Sequence, residues 1–173
     1  MLYSSPELQQ AESAMHSVVE SLSDSQEALV EIGEKLHDMS LRHFLLAESL
    51  RRAQFRSDIE RVLNEEGVSD IREGGASAGS VHRVWSKLKS GLVKSIMGAT
   101  IIDASDHALL VTAELVEDAA RESYDYALTT PLPAILRELL CTQAQHIQMS
   151  HDILMTARDH SSEHSNHPRV HAA

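Results

Sequence analysis

Apolar residues in this chain recur at intervals of three and four over long stretches, and short breaks rich in Gly, Pro or Ser separate the stretches. That is the period of one helix face. The first run, about residues 5–37, carries Leu8, Met15, Val18, Val19, Leu22, Leu29 and Leu36. It opens on Ser5-Pro6-Glu7, a capping hydroxyl, a proline suited to the first helical position and an acid near the positive end of the dipole. The second run, about 40–66, carries Leu41, Phe44, Leu45, Phe55, Ile59, Val62 and Leu63. A third, about 104–129, carries Leu109, Leu110, Ala113, Val116, Ala120, Tyr124 and Ala127. The fourth follows Thr129-Thr130-Pro131 and reaches about residue 159 through Leu136, Leu139, Leu140, Ile147, Ile153 and Leu154. Seven Gly and four Pro in the whole chain are too few for a loop-rich fold, which favours an all-α protein.

The breaks set the expected layout. His37-Asp38-Met39-Ser40 and Thr129-Thr130-Pro131 are short enough to make each flanking pair of helices an antiparallel hairpin. Between the hairpins lie a Gly- and Ser-rich loop, residues 67–79, and a shorter amphipathic run, 80–97, with Val81, Val84, Trp85, Leu88, Leu92 and Ile96 on one face. Two hairpins joined by a long crossover, 67–103, that contains a short fifth helix make a ferritin-like four-helix bundle. The expected domain is 1–159, followed by a polar, disordered tail, 160–173.

Composition narrows the setting. The chain has 173 residues, 42% of them hydrophobic, enough for one domain with its own core. A formal net charge of −11 argues against nucleic acid as a partner. The single Cys141 excludes an internal disulfide and fits a reducing, cytoplasmic compartment. MLYSSPELQQ lacks the basic and apolar regions of a signal peptide, and no transmembrane segment is expected. A homo-oligomer is compatible with such a chain.

Each long stripe also carries a polar residue where an apolar one belongs: Gln26, Glu48, Glu117 and Gln143. Arg51 follows Glu48 and His146 follows Gln143, each three residues on. Residues 26 and 48 lie equally far from the first break, and 117 and 143 equally far from the second, so each pair should share a level in its hairpin. Di-iron and di-manganese bundles place Glu and Glu-x-x-His at such positions. Only Glu48, Glu117 and His146 match in ligand type, with His151 as a supplement. Gln26 and Gln143 are weak ligands, and Arg51 would repel a metal and pair with Glu48. The favoured expectation is therefore a buried polar network of Gln26, Glu48, Arg51, Glu117, Gln143 and His146, in which Glu48→Ala costs about 3–5 kcal/mol. The alternative is a metal site of Glu48, Glu117, His146 and His151 holding iron or manganese.

Two further features weigh on function. Residues 74–102 contain no acid and carry Arg83, Lys87, Lys89 and Lys94. They read either as a crossover that complements acidic faces of its own bundle or as a docking helix for an anionic partner or membrane surface. The tail holds His160, His164, His167 and His171, which favour adventitious metal binding over a built cage. No phosphate-binding Gly-rich loop, nucleophile elbow or His-Glu-x-x-His is present, and Cys141 projects away from its core sector with no His nearby in sequence. The chain reads as non-catalytic.

Several segments resemble a known family: Arg52-Ala53-Gln54-Phe55; Gly79-Ser80-Val81-His82-Arg83-Val84-Trp85-Ser86-Lys87-Leu88-Lys89-Ser90; Glu117-Asp118-Ala119-Ala120 followed by Tyr124; and His151-Asp152. Over roughly residues 10–158 the chain resembles uncharacterised bacterial four-helix-bundle proteins of the ferritin-like superfamily, classed as a domain of unknown function. The resemblance implies that fold and no assigned activity or ligand set. A stress-related role follows by superfamily analogy alone.

Overall fold

The computed structural model describes residues 6–65 and 105–165. They form four helices, α1 (Pro6–Lys35), α2 (Met39–Glu65), α3 (Asp106–Thr129) and α4 (Ala134–Ser165), with no strand among the described residues. The expected loop and helix of the crossover lie outside the described residues. The fourth helix runs on to Ser165, past the end expected near residue 159. No Pro interrupts it before Pro168, and near its end Ser161 Oγ donates to the Arg158 carbonyl at 2.7 Å and His160 Nδ1 lies 2.8 Å from the Thr156 carbonyl.

Each hairpin is closed by side chains at its turn. Asp38 Oδ1 accepts from the amides of Ser40 at 2.8 Å and Leu41 at 3.0 Å, which caps α2. At the second turn α3 ends where Thr130 adopts an extended conformation, as the residue before Pro131 must. Arg137, from the first turn of α4, donates to the carbonyls of Leu128 and Thr130, both at 2.8 Å, and so satisfies the exposed end of α3. Near the first turn α1 and α2 approach closely at Gly33, where a Cβ would sit 3.3 Å from the Leu45 Cβ. Glycine there costs helix propensity and gains proximity.

The order of helices around the bundle is α2, α1, α3, α4. Helix α1 packs against both α2 and α3, α4 packs against α3, and α4 touches α2 only sparsely. Helices α2 and α3 therefore face each other across the diagonal. Asp106, the first residue of α3, lies at the first turn, where its carboxylate accepts from the His37 amide at 3.0 Å and the Asp38 amide at 2.9 Å and meets the His37 ring at 3.0 Å. That contact makes α3 antiparallel to α1 and parallel to α2. Small buried residues serve the α1–α3 seam, where Ser123 donates to Ser21 at 2.8 Å.

Burial alone would push the Asp106 carboxyl up, but the two amides and the His37 ring outweigh it and hold the group below its usual range. Replacing Asp106 by Ala should cost about 1–3 kcal/mol at neutral pH, because the acceptor for three donors is lost. A depressed folded pKa means this contribution is present above the unfolded value of about 3.9 and is lost as pH falls through the lower folded value. Urea denaturation of both chains at pH 7 and again near pH 3 should show the gap closing in acid.

The apolar core comes in two clusters. One packs Ala14, Met15, Val18 and Leu22 of α1 with Ile59, Val62 and Leu63 of α2, Ala120, Tyr124 and Ala127 of α3, and Leu136, Leu140 and Ile147 of α4. The other, nearer the first turn, packs Ala28, Leu29, Ile32, Leu36, Leu45, Leu109, Leu110, Ala113, Val116 and Leu154. Between them lies a polar layer.

Candidate functional site

The layer is centred on Arg52. Its side chain is 0% exposed, and it projects from α2 across the bundle diagonal to Glu117 of α3, which is also 0% exposed. Arg52 Nη2 donates to both carboxylate oxygens of Glu117, at 2.7 and 2.6 Å. Ser150 Oγ, from α4, donates to Glu117 Oε1 at 3.0 Å. On the other side Arg52 Nη1 stands 3.5 Å from Glu48 Oε2, one helical turn back on α2. His146 Nε2, from α4, lies 3.1 and 3.2 Å from the two Glu48 oxygens. The Phe55 ring completes this side, 5.8 Å from the Arg52 guanidinium carbon and edge-on to the His146 ring at 5.6 Å.

A second chain of hydrogen bonds runs beside the ion pairs. The Tyr124 hydroxyl donates to Gln143 Oε1 at 2.8 Å, and Gln143 Nε2 donates to the Phe55 carbonyl at 3.2 Å. Burial pushes the Tyr124 phenol far above its usual range, although the Arg52 charge pulls it the other way. It therefore stays protonated and serves as a donor. The Phe55 carbonyl would otherwise serve only its own helix, so Gln143 ties α4 to α2 at a seam where their backbones meet sparsely.

Glu48, Glu117 and His146 are thus joined around Arg52, whereas Gln143 lies seven residues before Ser150 on α4 and is level with Tyr124, not with Glu117. The residue three places after Glu48 is not the central cation. Arg51 is half exposed at the mouth of the layer, with its Nε 3.6 Å from Glu48 Oε1. Gln26 is half-buried, and no hydrogen bond joins it to this group among the described residues. The α1 positions turned inward nearby are Ser25 and Leu22, and Ser25 Oγ returns to the Leu22 carbonyl at 3.2 Å. His151 turns to the α3 side of α4, where its Nε2 lies 3.3 Å from Asp118 and 3.8 Å from Glu114. Its Nδ1 lies 3.3 Å from Asp152, whose carboxyl is held below its usual range by that imidazole and by Gln148. Arg158 pairs with Glu114 there as well.

The donor set does not fit a pair of divalent ions. A metal needs carboxylate and imidazole lone pairs aimed at a common point. Both Glu117 oxygens are taken by one guanidinium nitrogen, and the same guanidinium stands beside Glu48 with a charge it cannot lose. Among the described residues no group of three or more His, Cys, Asp or Glu is placed to hold a metal. Arg52 itself is incompletely satisfied, since Nε and Nη1 find no hydrogen-bond acceptor among the described residues. The layer is built of charge and is not fully neutralised by hydrogen bonding.

No helix among the described residues is long and apolar enough to cross a membrane. Residues 10–130 match the family model of a domain of unknown function, DUF2383. That range takes in Glu48, Arg52, Glu117 and Tyr124 and stops short of α4, which supplies Gln143, His146 and Ser150. No curated protein matches the chain.

Proposed function

The chain belongs to the DUF2383 family, and on that footing we propose that it is a non-catalytic bundle of ferritin-like layout in which an ion network stands in place of a di-metal centre. The observation that carries this reading is the fully buried Arg52, placed between Glu48 and Glu117. Its guanidinium holds one fixed positive charge between the two inward carboxylates, and the half-exposed Arg51 stands beside Glu48, so cationic side chains take the place a metal would have. The parallel run of α2 and α3 on the diagonal, joined through a long connection, supports the ferritin-like layout. A cytoplasmic setting fits the lone, exposed Cys141.

Elemental analysis tests the proposal. The chain carrying His160→Gln, His164→Gln, His167→Gln and His171→Gln, which removes the adventitious imidazoles, should hold iron and manganese far below stoichiometric amounts after anaerobic reconstitution. Stoichiometric metal that disappears with Glu48→Ala or Glu117→Ala would establish a metal centre instead.

A further inference from the structure

Among the described residues, the seam between α2 and α4 is the sparsely packed one. Helix α2 ends at Glu65, and α3 begins at Asp106 beside the first turn, at the opposite end of the bundle. With 27 residues in α2, the intervening chain must travel about 40 Å along the bundle axis. Because α2 and α3 lie on a diagonal, that path must pass over α1 or over α4. Helix α1 packs extensively against both α2 and α3, whereas α4 touches α2 sparsely. The open route is the α2–α4 seam.

Its α4 lip is apolar. At about 100° per residue, Ile135, Met149 and Ile153 fall on the flank of α4 that also carries His146, which reaches α2. They are 48%, 61% and 47% exposed. Phe44 and Phe55 are half-buried on the facing side of α2. An open groove lined by Asp152, Ile153, Thr156, Ala157 and His160 continues the same strip along α4. Neighbouring exposed apolar side chains along one edge call for a partner.

We propose that residues 80–97 of this same chain pack into the α2–α4 seam. Their sequence repeats Val81, Val84, Trp85, Leu88, Leu92 and Ile96 at helical spacing, which would give an apolar face about 23 Å long, shorter than the seam. Their cations Arg83, Lys87, Lys89 and Lys94 suit a bundle of strongly negative charge, and Asp152 lines the groove itself. The chain between Glu65 and Asp106 starts at one end of this groove and finishes at the other, so no second molecule is needed to fill it.

Trp85 is the only tryptophan in the chain, so its emission reads this contact directly. In the unaltered chain Trp85 should be shielded from acrylamide. The pair Met149→Lys and Ile153→Lys should raise the quenching constant by about twofold or more, with helix content unchanged because both positions are exposed. Leu50→Lys, exposed on the side of α2 turned away from α4, should leave quenching unchanged. The milder pair Met149→Ser and Ile153→Ser should raise quenching in the same direction, should the lysine pair disturb folding. Several results would overturn the proposal: a freely quenched Trp85 in the unaltered chain, quenching indifferent to both seam pairs, or protection that fades on dilution, the mark of a second copy. Protection seen only with anionic lipid vesicles would overturn it in favour of a membrane surface.

Discussion

Arg52→Ala should destabilise the bundle by about 3–5 kcal/mol, the range for breaking a buried ion pair by removing one partner. The change strands Glu117, which keeps the Ser150 hydroxyl as a donor, and removes the charge between it and Glu48, which keeps His146 and Arg51. Glu117→Ala should fall in the same range, because Arg52 would lose both of its short hydrogen bonds. Glu48→Ala should cost less, about 1–3 kcal/mol. Its oxygen stands 3.5 Å from Arg52, outside good bonding distance, and Arg52 keeps Glu117. This ordering revises the larger cost that the sequence alone suggested for Glu48. Replacing all three, as Glu48→Leu, Arg52→Met and Glu117→Leu, should be near neutral or stabilising, since the desolvation cost of the charges is removed with them. Urea denaturation followed by circular dichroism measures all four. A loss below about 1 kcal/mol for Arg52→Ala, typical of an exposed pair, would show that the guanidinium is hydrated in solution.

Tyr124→Ala should cost a similar amount, about 3–5 kcal/mol, because a fully buried aromatic is removed from the larger apolar cluster. Tyr124→Phe separates the two roles of this side chain. It keeps the ring and leaves Gln143 Oε1 without its donor, for a loss of about 1–2 kcal/mol. Adding Gln143→Leu to Tyr124→Phe should not recover all of that, because the Gln143 amide also serves the Phe55 carbonyl. Comparable losses for the Phe and Ala variants would mean that the hydroxyl, and not the ring, carries the stability.

Much of the fold was legible because stripes at helical period and short breaks leave few alternatives. Glu48, Glu117 and His146 do gather around Arg52, but the level pairs expected from the breaks are not the ones seen: Glu117 meets Ser150, Gln143 meets Tyr124, and no hydrogen bond joins Gln26 to Glu48 among the described residues. The central cation was missed for a physical reason. Arg51 and Arg52 lie three and four residues beyond Glu48, and both spacings place a side chain next to it on a helix. The stripe held the distinguishing signal, since Arg52 is closer than Arg51 to the mean direction of Leu41, Leu45, Phe55 and Ile59 at about 100° per residue. The spacing of Arg51 from Glu48 is that of a Glu-x-x-His ligand pair, whereas the spacing of Arg52 carries no such signature. Ser21, Ser123 and Ser150 could not be foreseen, because serine is as common on a wet face as in a close helix contact. The same holds for Ser25 against Gln26, where the smaller residue turns inward.

The diagonal reach of Arg52 bears on how the two hairpins unfold. Helix α2 belongs to the first hairpin, Glu117 and Ser150 to the second, so neither hairpin can open without stranding a charge that the other had matched. A slip of α2 along its axis by one turn, about 5.4 Å, would likewise withdraw the guanidinium from Glu117 and press it into one of the two apolar clusters. The layer thus works like a key in a slot. It contributes little to net stability, yet it makes shifted alignments and half-open states far worse than the native one, and so favours melting of the molecule as one cooperative unit.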